Sequence, residues 1–174
     1  IELKFKDQVV RQPLEVVASP LSKTTKEQWG IYDSFMKAAE ANYNEMTRQT
    51  NRLHSLSKQL EKLISDNLTG ELKKQAEALQ KELNDWDAKM VQRLSKAYDD
   101  VENYENGFTA NYIRAFNEAD SSEPRVTEGT KRVIEELNKE WSLLKAEGDR
   151  LESEAIPNLN KLLFEAGIGA LNSK

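Results

Sequence analysis

Along the chain the spacing of apolar residues changes period once, near residue 25. Before that point Ile1, Leu3 and Phe5 alternate with Glu2, Lys4 and Lys6. Period two is the mark of a half-buried strand. Lys6-Asp7-Gln8 suits a tight turn. Val10, Gln12, Leu14 and Val16 then form a second alternating set, with Pro13 inside it, which favours an edge strand over a central one. The pattern predicts a β-hairpin over residues 1–18. A lone two-stranded hairpin is marginal in water, so this one must lie on the helices that follow or complete a sheet lying outside this chain.

Beyond residue 25 the period is helical. Thr24 or Thr25 can cap the first helix, with Glu27 or Gln28 close to the reciprocal capping position. Tyr32, Phe35, Ala39, Met46, Leu53, Leu56, Leu60 and Leu63 lie on one heptad lattice. Asn42 and Gln49 fall on the same lattice and make the seam polar near its middle. About 40 residues without a break predict a helix roughly 60 Å long. Asp66 to Gly70 forms a turn cluster. A second helix follows, with Leu72, Ala76, Leu79, Leu83, Trp86, Met90, Leu94, Ala97 and Val101 at steps of three and four. Asn106-Gly107 is the expected stop.

Phe108, Tyr112, Ile113, Phe116 and Ala119 predict a short amphipathic helix, and Asp120 to Pro124 a loop. Thr127 can cap the last long helix, whose stripe is Val133, Leu137, Trp141, Leu144 and Leu151. Gly148 falls on that stripe and suggests a close helix approach or a weak point. Pro157 predicts a kink, or a stop and restart with proline near the first helical position. Gly167 is the expected residue after the helix end, and Ile168 to Leu171 is apolar enough to dock back. Short connections make neighbouring helices antiparallel. The fold class is therefore mainly α: an up-down-up bundle of three long helices and one short one over residues 24–171, preceded by the hairpin.

Composition narrows the function classes. The 174 residues are 32% charged with a net charge of −5, which argues against nucleic acid as the main partner and disfavours an anionic membrane surface. No cysteine is present, so disulfides, thiolate metal sites and cysteine nucleophiles are excluded. No apolar run approaches the ~20 residues of a membrane span.

Little in the sequence carries chemistry. His54 is the one histidine, and without a second histidine or a cysteine it is a poor metal or triad candidate. A di-metal site in a bundle would need Glu-x-x-His pairs on facing helices. Asp85 and Asp87 flank Trp86, and Asp99-Asp100 is a second pair. Carboxylate pairs serve glycosidases across a cleft, but these lie along one predicted helix and read as solvated charge. Asn67-Leu68-Thr69 is a formal glycosylation sequon. Trp86 and Trp141 read as core, and Trp29 as packing at the hairpin–helix junction. The sequence therefore offers no catalytic, cofactor or metal residues.

The two ends carry a resemblance. VRQPLEVVASP (residues 10–20) resembles the closing strand of a small β-sandwich that runs into a helical region. LNKEW (137–141) with AIPNLNKLLFEAGIGAL (155–171) resembles the final helix of that region, and ADSSEPRVTEG (119–129) the loop before it. These features are similar to the C-terminal helical region of bacterial secreted sortilin-like, Asp-box (BNR) repeat proteins described as glycosyl hydrolase-like. The resemblance covers about Glu2 to Leu171. It implies that the hairpin is left from an upstream immunoglobulin-like sandwich, that the partners are that sandwich and a β-propeller of the same polypeptide, and that the protein is secreted, periplasmic or on the cell surface. No Asp-box repeat of the Ser-x-Asp-x-Gly-x-x-Trp type occurs here, so the resemblance implies no catalytic residue.

Three functions follow as expectations. The first is a non-catalytic module that spaces, braces or docks the propeller, or holds a partner chain. The second is a free-standing coiled-coil or spectrin-like interaction module, with Asn42 and Gln49 setting register or partner choice. The third is a glycan-binding or enzymatic domain in its own right, carried by exposed aromatics such as Trp29, Tyr32, Tyr104 and Tyr112.

Overall fold

The computed structural model describes residues 1–66, 68–120 and 125–172, with the backbone alone at Tyr98, Asp99 and Val101. The sequon residue Asn67 and most of the 120–124 loop lie outside the described residues. Helices dominate, and a two-stranded antiparallel hairpin stands in front of them.

The long first helix, α1 (Lys26–Asp66), starts at a reciprocal cap: Gln28 N–H donates to Thr25 Oγ1 at 3.2 Å, and Thr25 N–H to Gln28 Oε1 at 2.8 Å. Ala39, Met46, Leu53, Leu56 and Leu60 bury its apolar seam. Gly70, at the turn, has φ +62°, a conformation that favours glycine. Helix α2 (Gly70–Met90) then returns along α1, burying Ala76, Leu79, Leu83, Trp86 and Met90. Ser57 bonded to Asn84 and His54 beside Asp87 show the antiparallel register.

Helix α2 ends sooner than the periodicity predicts. It stops at Met90, and Leu94 is 63% exposed. The cause is non-local. Gly107 lies against the helix end so closely that an added Cβ would sit 2.6 Å from the Met90 carbonyl oxygen. Thr109 Oγ1 donates to that same carbonyl at 2.8 Å. Residues 91–107 thus leave and return at one point, as an Ω-loop does, with a 3₁₀ turn at Tyr98–Asn103. Gly107 does not close the second helix; it is the N-cap of α3 (Phe108–Ala119).

Helix α3 resumes the descent that α2 left off. Tyr112 meets Asn42, and Tyr32 meets Asp120, so α3 runs antiparallel to the first half of α1. The short helix is the expected short member of the bundle, and it packs on the first half of α1 beyond the end of α2. The third column is α4 (Glu128–Arg150), a π turn (Leu151–Ala155) and α5 (Ile156–Glu165). Thr127 Oγ1 caps α4 by accepting from Thr130 N–H. Ile134, Trp141, Leu144, Gly148 and Leu151 face inward, and Val133, expected on the stripe, is 46% exposed.

The α-helical pattern is interrupted before Pro157 and resumes in α5 with the proline in its first two positions, as one of the two expectations had it. The chain passes it by one wide turn, in which Ile156 N–H bonds to Leu151 C=O. That widening accommodates a residue without an N–H. The helix ends in a Schellman motif: Gly167 takes φ +73°, Ile168 N–H bonds to Leu163 C=O, and Gly167 N–H to Phe164 C=O. The tail does dock. Leu171 is buried, with both its backbone groups paired to Asn160, and the Gln59 amide pairs both backbone groups of Asn172.

The hairpin is β1 (Glu2–Phe5) and β2 (Gln8–Arg11), in the register Glu2–Arg11, Leu3–Val10, Lys4–Val9 and Phe5–Gln8. The second strand is shorter than the alternation suggests, since Gln12 to Thr25 is irregular. Every residue of both strands is exposed.

Candidate functional site

The polar groups singled out in the sequence turn mostly inward. Asn42 on α1 donates from Nδ2 to Asn138 Oδ1 on α4 at 3.0 Å and to the Tyr112 hydroxyl on α3 at 3.3 Å. Tyr112 donates to the same Asn138 oxygen at 2.9 Å. One polar triad thus ties three helices, and burial pushes the Tyr112 hydroxyl up in pKa. Tyr112 is fully buried, so it cannot be one of the exposed aromatics expected for glycan binding.

Gln49 lies one layer further along. Its Nε2 donates to Asp149 Oδ1 at 2.8 Å. An added Cβ at Gly148 would come within 2.8 Å of the Gln49 side chain, so the glycine on the stripe marks a close approach. A polar hollow of about 240 Å³ opens here among Glu45, Arg48, Gln49, Arg52, Lys145, Asp149 and Glu152. Lys145 bridges Glu45 and Asp149, and Arg52 lies 3.4 Å from Glu152. Burial raises the Glu152 carboxyl above its ordinary pKa, opposed by Arg52 and Lys145 and aided by Asp149. Its acids and bases balance, three against three.

His54 and Asp87 do come together, across α1 and α2, with Nδ1 3.5 Å from Oδ2. Asp87, only 6% exposed, also receives a two-pronged bond from Arg93 at 2.6 and 2.9 Å. The guanidinium of Arg93 meets its negative charge, and the pair pins the Ω-loop to α2. Ser57, one turn along from His54, donates its hydroxyl proton to Asn84 at 2.7 Å instead. The contacts of this cluster tie α1, α2 and the loop after Met90 together. Asp85 faces outward and pairs with Lys81, while Asp100 accepts from Lys96 N–H and Asn103. Among the described residues, no group of three or more His, Asp or Glu could hold a metal.

Trp86 is fully buried and donates from Nε1 to Leu144 C=O at 2.8 Å. Trp141 stacks on Phe108. Trp29 and Tyr104 are each 38% exposed. Trp29 meets Tyr32 edge to face and borders a hollow lined by Val16, Val17, Ala18, Thr24 and Lys26, which is the junction expected for it. The Tyr32 hydroxyl donates to Asp120, and burial with that hydrogen bond pushes its pKa up to about 12.

The front of the chain carries a run of exposed apolar side chains. Ile1, Leu3, Phe5, Val10, Leu14, Val16, Val17 and Leu21 are all more than half exposed. Ile1, Leu3, Phe5 and Val10 share one face of the hairpin, while Glu2, Lys4 and Arg11 share the other, where Glu2 pairs with both cations. A contiguous apolar patch of this kind marks an interaction surface. Arg93, Asn138, Asp149 and Glu152 were not readable as partners beforehand, because each belongs to a charged or amide-rich stretch and meets its partner only through the fold. No protein-family profile, curated protein or solved structure matches the chain, and no helix among the described residues is long and apolar enough to cross a membrane.

Proposed function

We propose that this chain is a non-catalytic helical module that spaces or docks neighbouring β-structure, and that its hairpin is the contact. The observation that carries the reading is the contrast between the two parts. Asn42, Gln49, Tyr112 and Asn138 bond across the helices of the bundle, whereas Ile1, Leu3, Phe5 and Val10 on one face of the hairpin are each more than half exposed. The resemblance to the C-terminal region of secreted sortilin-like, Asp-box proteins gives the reading its form: the hairpin supplies the closing strands of an upstream sandwich, and any glycoside chemistry belongs to a propeller elsewhere in the polypeptide. The spectrin-like reading has less support, since Asn42 and Gln49 are engaged in bonds within the chain.

The test is the reading frame upstream of Ile1, followed by hydrogen exchange. A signal peptide, Asp-box repeats and a β-sandwich should precede this segment. Amides of residues 2–11 should exchange quickly in the chain alone and slowly once the sandwich is attached. A start codon within a few residues of Ile1 would sink the proposal.

A further inference from the structure

The hairpin has two free edges, and the outer edge of β1 carries information of its own. Ile1 nitrogen donates to Gln12 C=O at 2.7 Å, and Gln12 N–H donates back to Ile1 C=O at 3.0 Å. Bonded and non-bonded pairs alternate along an antiparallel ladder. Leu3–Val10 and Phe5–Gln8 are therefore the bonded pairs inside the hairpin. The N–H and C=O groups of Glu2 and Lys4 point the other way, out along the free edge.

The stretch IELKF is its own antiparallel complement. With Leu3 at the centre, a second copy places its Phe5 opposite Ile1, its Lys4 opposite Glu2 and its Leu3 opposite Leu3. Both Glu2–Lys4 pairs then meet on the polar face, where opposite charges are favourable. The apolar residues meet on the other face. This register is also the one that main-chain bonding requires, because Glu2 and Lys4 are the residues whose backbone groups face outward. The two nearest registers with the same bonding put Glu2 on Glu2 or Lys4 on Lys4, and like charges directly opposite are unfavourable. Charge and hydrogen bonding thus select one alignment.

We propose that two copies of this chain associate through antiparallel pairing of their β1 edges, centred on Leu3, to form a four-stranded sheet. Each copy gains the neighbouring strand that an isolated hairpin lacks, and the exposed Leu3 and Phe5 side chains gain apolar neighbours. The edge of β2, presenting Val9 and Arg11, stays available for pairing with a further strand. Five residues on each side make a small interface, and the dimer is a weak, concentration-dependent one.

The absence of cysteine makes the test direct. Leu3 opposite Leu3 is a non-bonded pair with closely spaced α-carbons, within the reach of a disulfide. Leu3→Cys in a glutathione buffer should form a covalent dimer at least ~10-fold faster than Val9→Cys, an exposed site on the far strand. Leu3→Glu and Leu3→Lys should each sediment as monomers, and an equimolar mixture should restore the dimer. Leu3 is 71% exposed, so helicity by circular dichroism should match the parent in every variant. Equal oxidation at positions 3 and 9, or a parent that stays monomeric at high concentration, would overturn the proposal.

Discussion

Asn138 Oδ1 accepts from two donors on two other helices, and this makes the order of substitution effects predictable. Tyr112→Phe removes one donor but leaves Asn42 and Asn138 bonded to each other. Its cost should be that of one net hydrogen bond, about 0.5–1.5 kcal/mol. Asn138→Ala removes the acceptor that both donors share, so Asn42 Nδ2 and the Tyr112 hydroxyl keep only each other at 3.3 Å. It should cost more, about 1–3 kcal/mol, as read from urea midpoints. Glu152 gives a prediction of the opposite sign. Its folded pKa is raised, first by burial, so the folded state holds the proton to higher pH than the unfolded state. Stability from this group is full below the ordinary value of 4.5 and is lost as pH rises through the folded value. Glu152→Gln removes the charge, so the variant should match the parent below that range and exceed it at pH 7. Paired urea melts across pH would show the gap open. A variant weaker than the parent at pH 7 would mean that the Arg52 contact outweighs burial.

At the scale of elements, most boundaries that depend on local chemistry were legible in the sequence. The Thr25–Gln28 cap, the Thr127 cap and the Gly167 ending each rest on neighbours within a few positions of one another, and the structure has all three. The break after Met90 was not legible, because Leu94, Ala97 and Val101 keep the helical period while the cause of the break arrives from Gly107. The phase of α4 was likewise misjudged at Val133, since neighbouring Ile134 offers an equally apolar residue one step around the helix. The polar seam at Asn42 and Gln49 was visible as a pattern, but its partners were not, for they sit on α3 and α4. Gly107 supplies the test of the break. Gly107→Ala drives a methyl group into the Met90 and Val91 backbone, which cannot rotate away as a side chain can. It should destabilise by about 1–3 kcal/mol or more. Gly129→Ala, whose nearest neighbour would be 3.6 Å away, is the control. It should be neutral or stabilising by up to ~1 kcal/mol, the ordinary gain of alanine over glycine in a helix.

The whole molecule divides its apolar residues unequally. The buried core begins at Ala39 and extends to Leu171, and no residue before Ala39 belongs to it. The first 21 residues hold eight large apolar side chains that are more than half exposed. Such a segment gives the bundle almost no burial, and burial is the main favourable term in folding. Removing residues 1–20 should therefore leave the bundle intact. Its thermal midpoint should fall by no more than ~3 °C, within the shift expected from less than 1 kcal/mol in a domain of this size. Trp29 should report the cut, since Val16, Val17 and Ala18 border its hollow and their loss leaves the indole wetter, with emission shifted to longer wavelength. The buried Trp86 and Trp141 should not respond. A fall well beyond that limit would mean that the hairpin braces the helices. A small fall would mean that the helices keep their stability without the front of the chain, as the exposure of its strands implies.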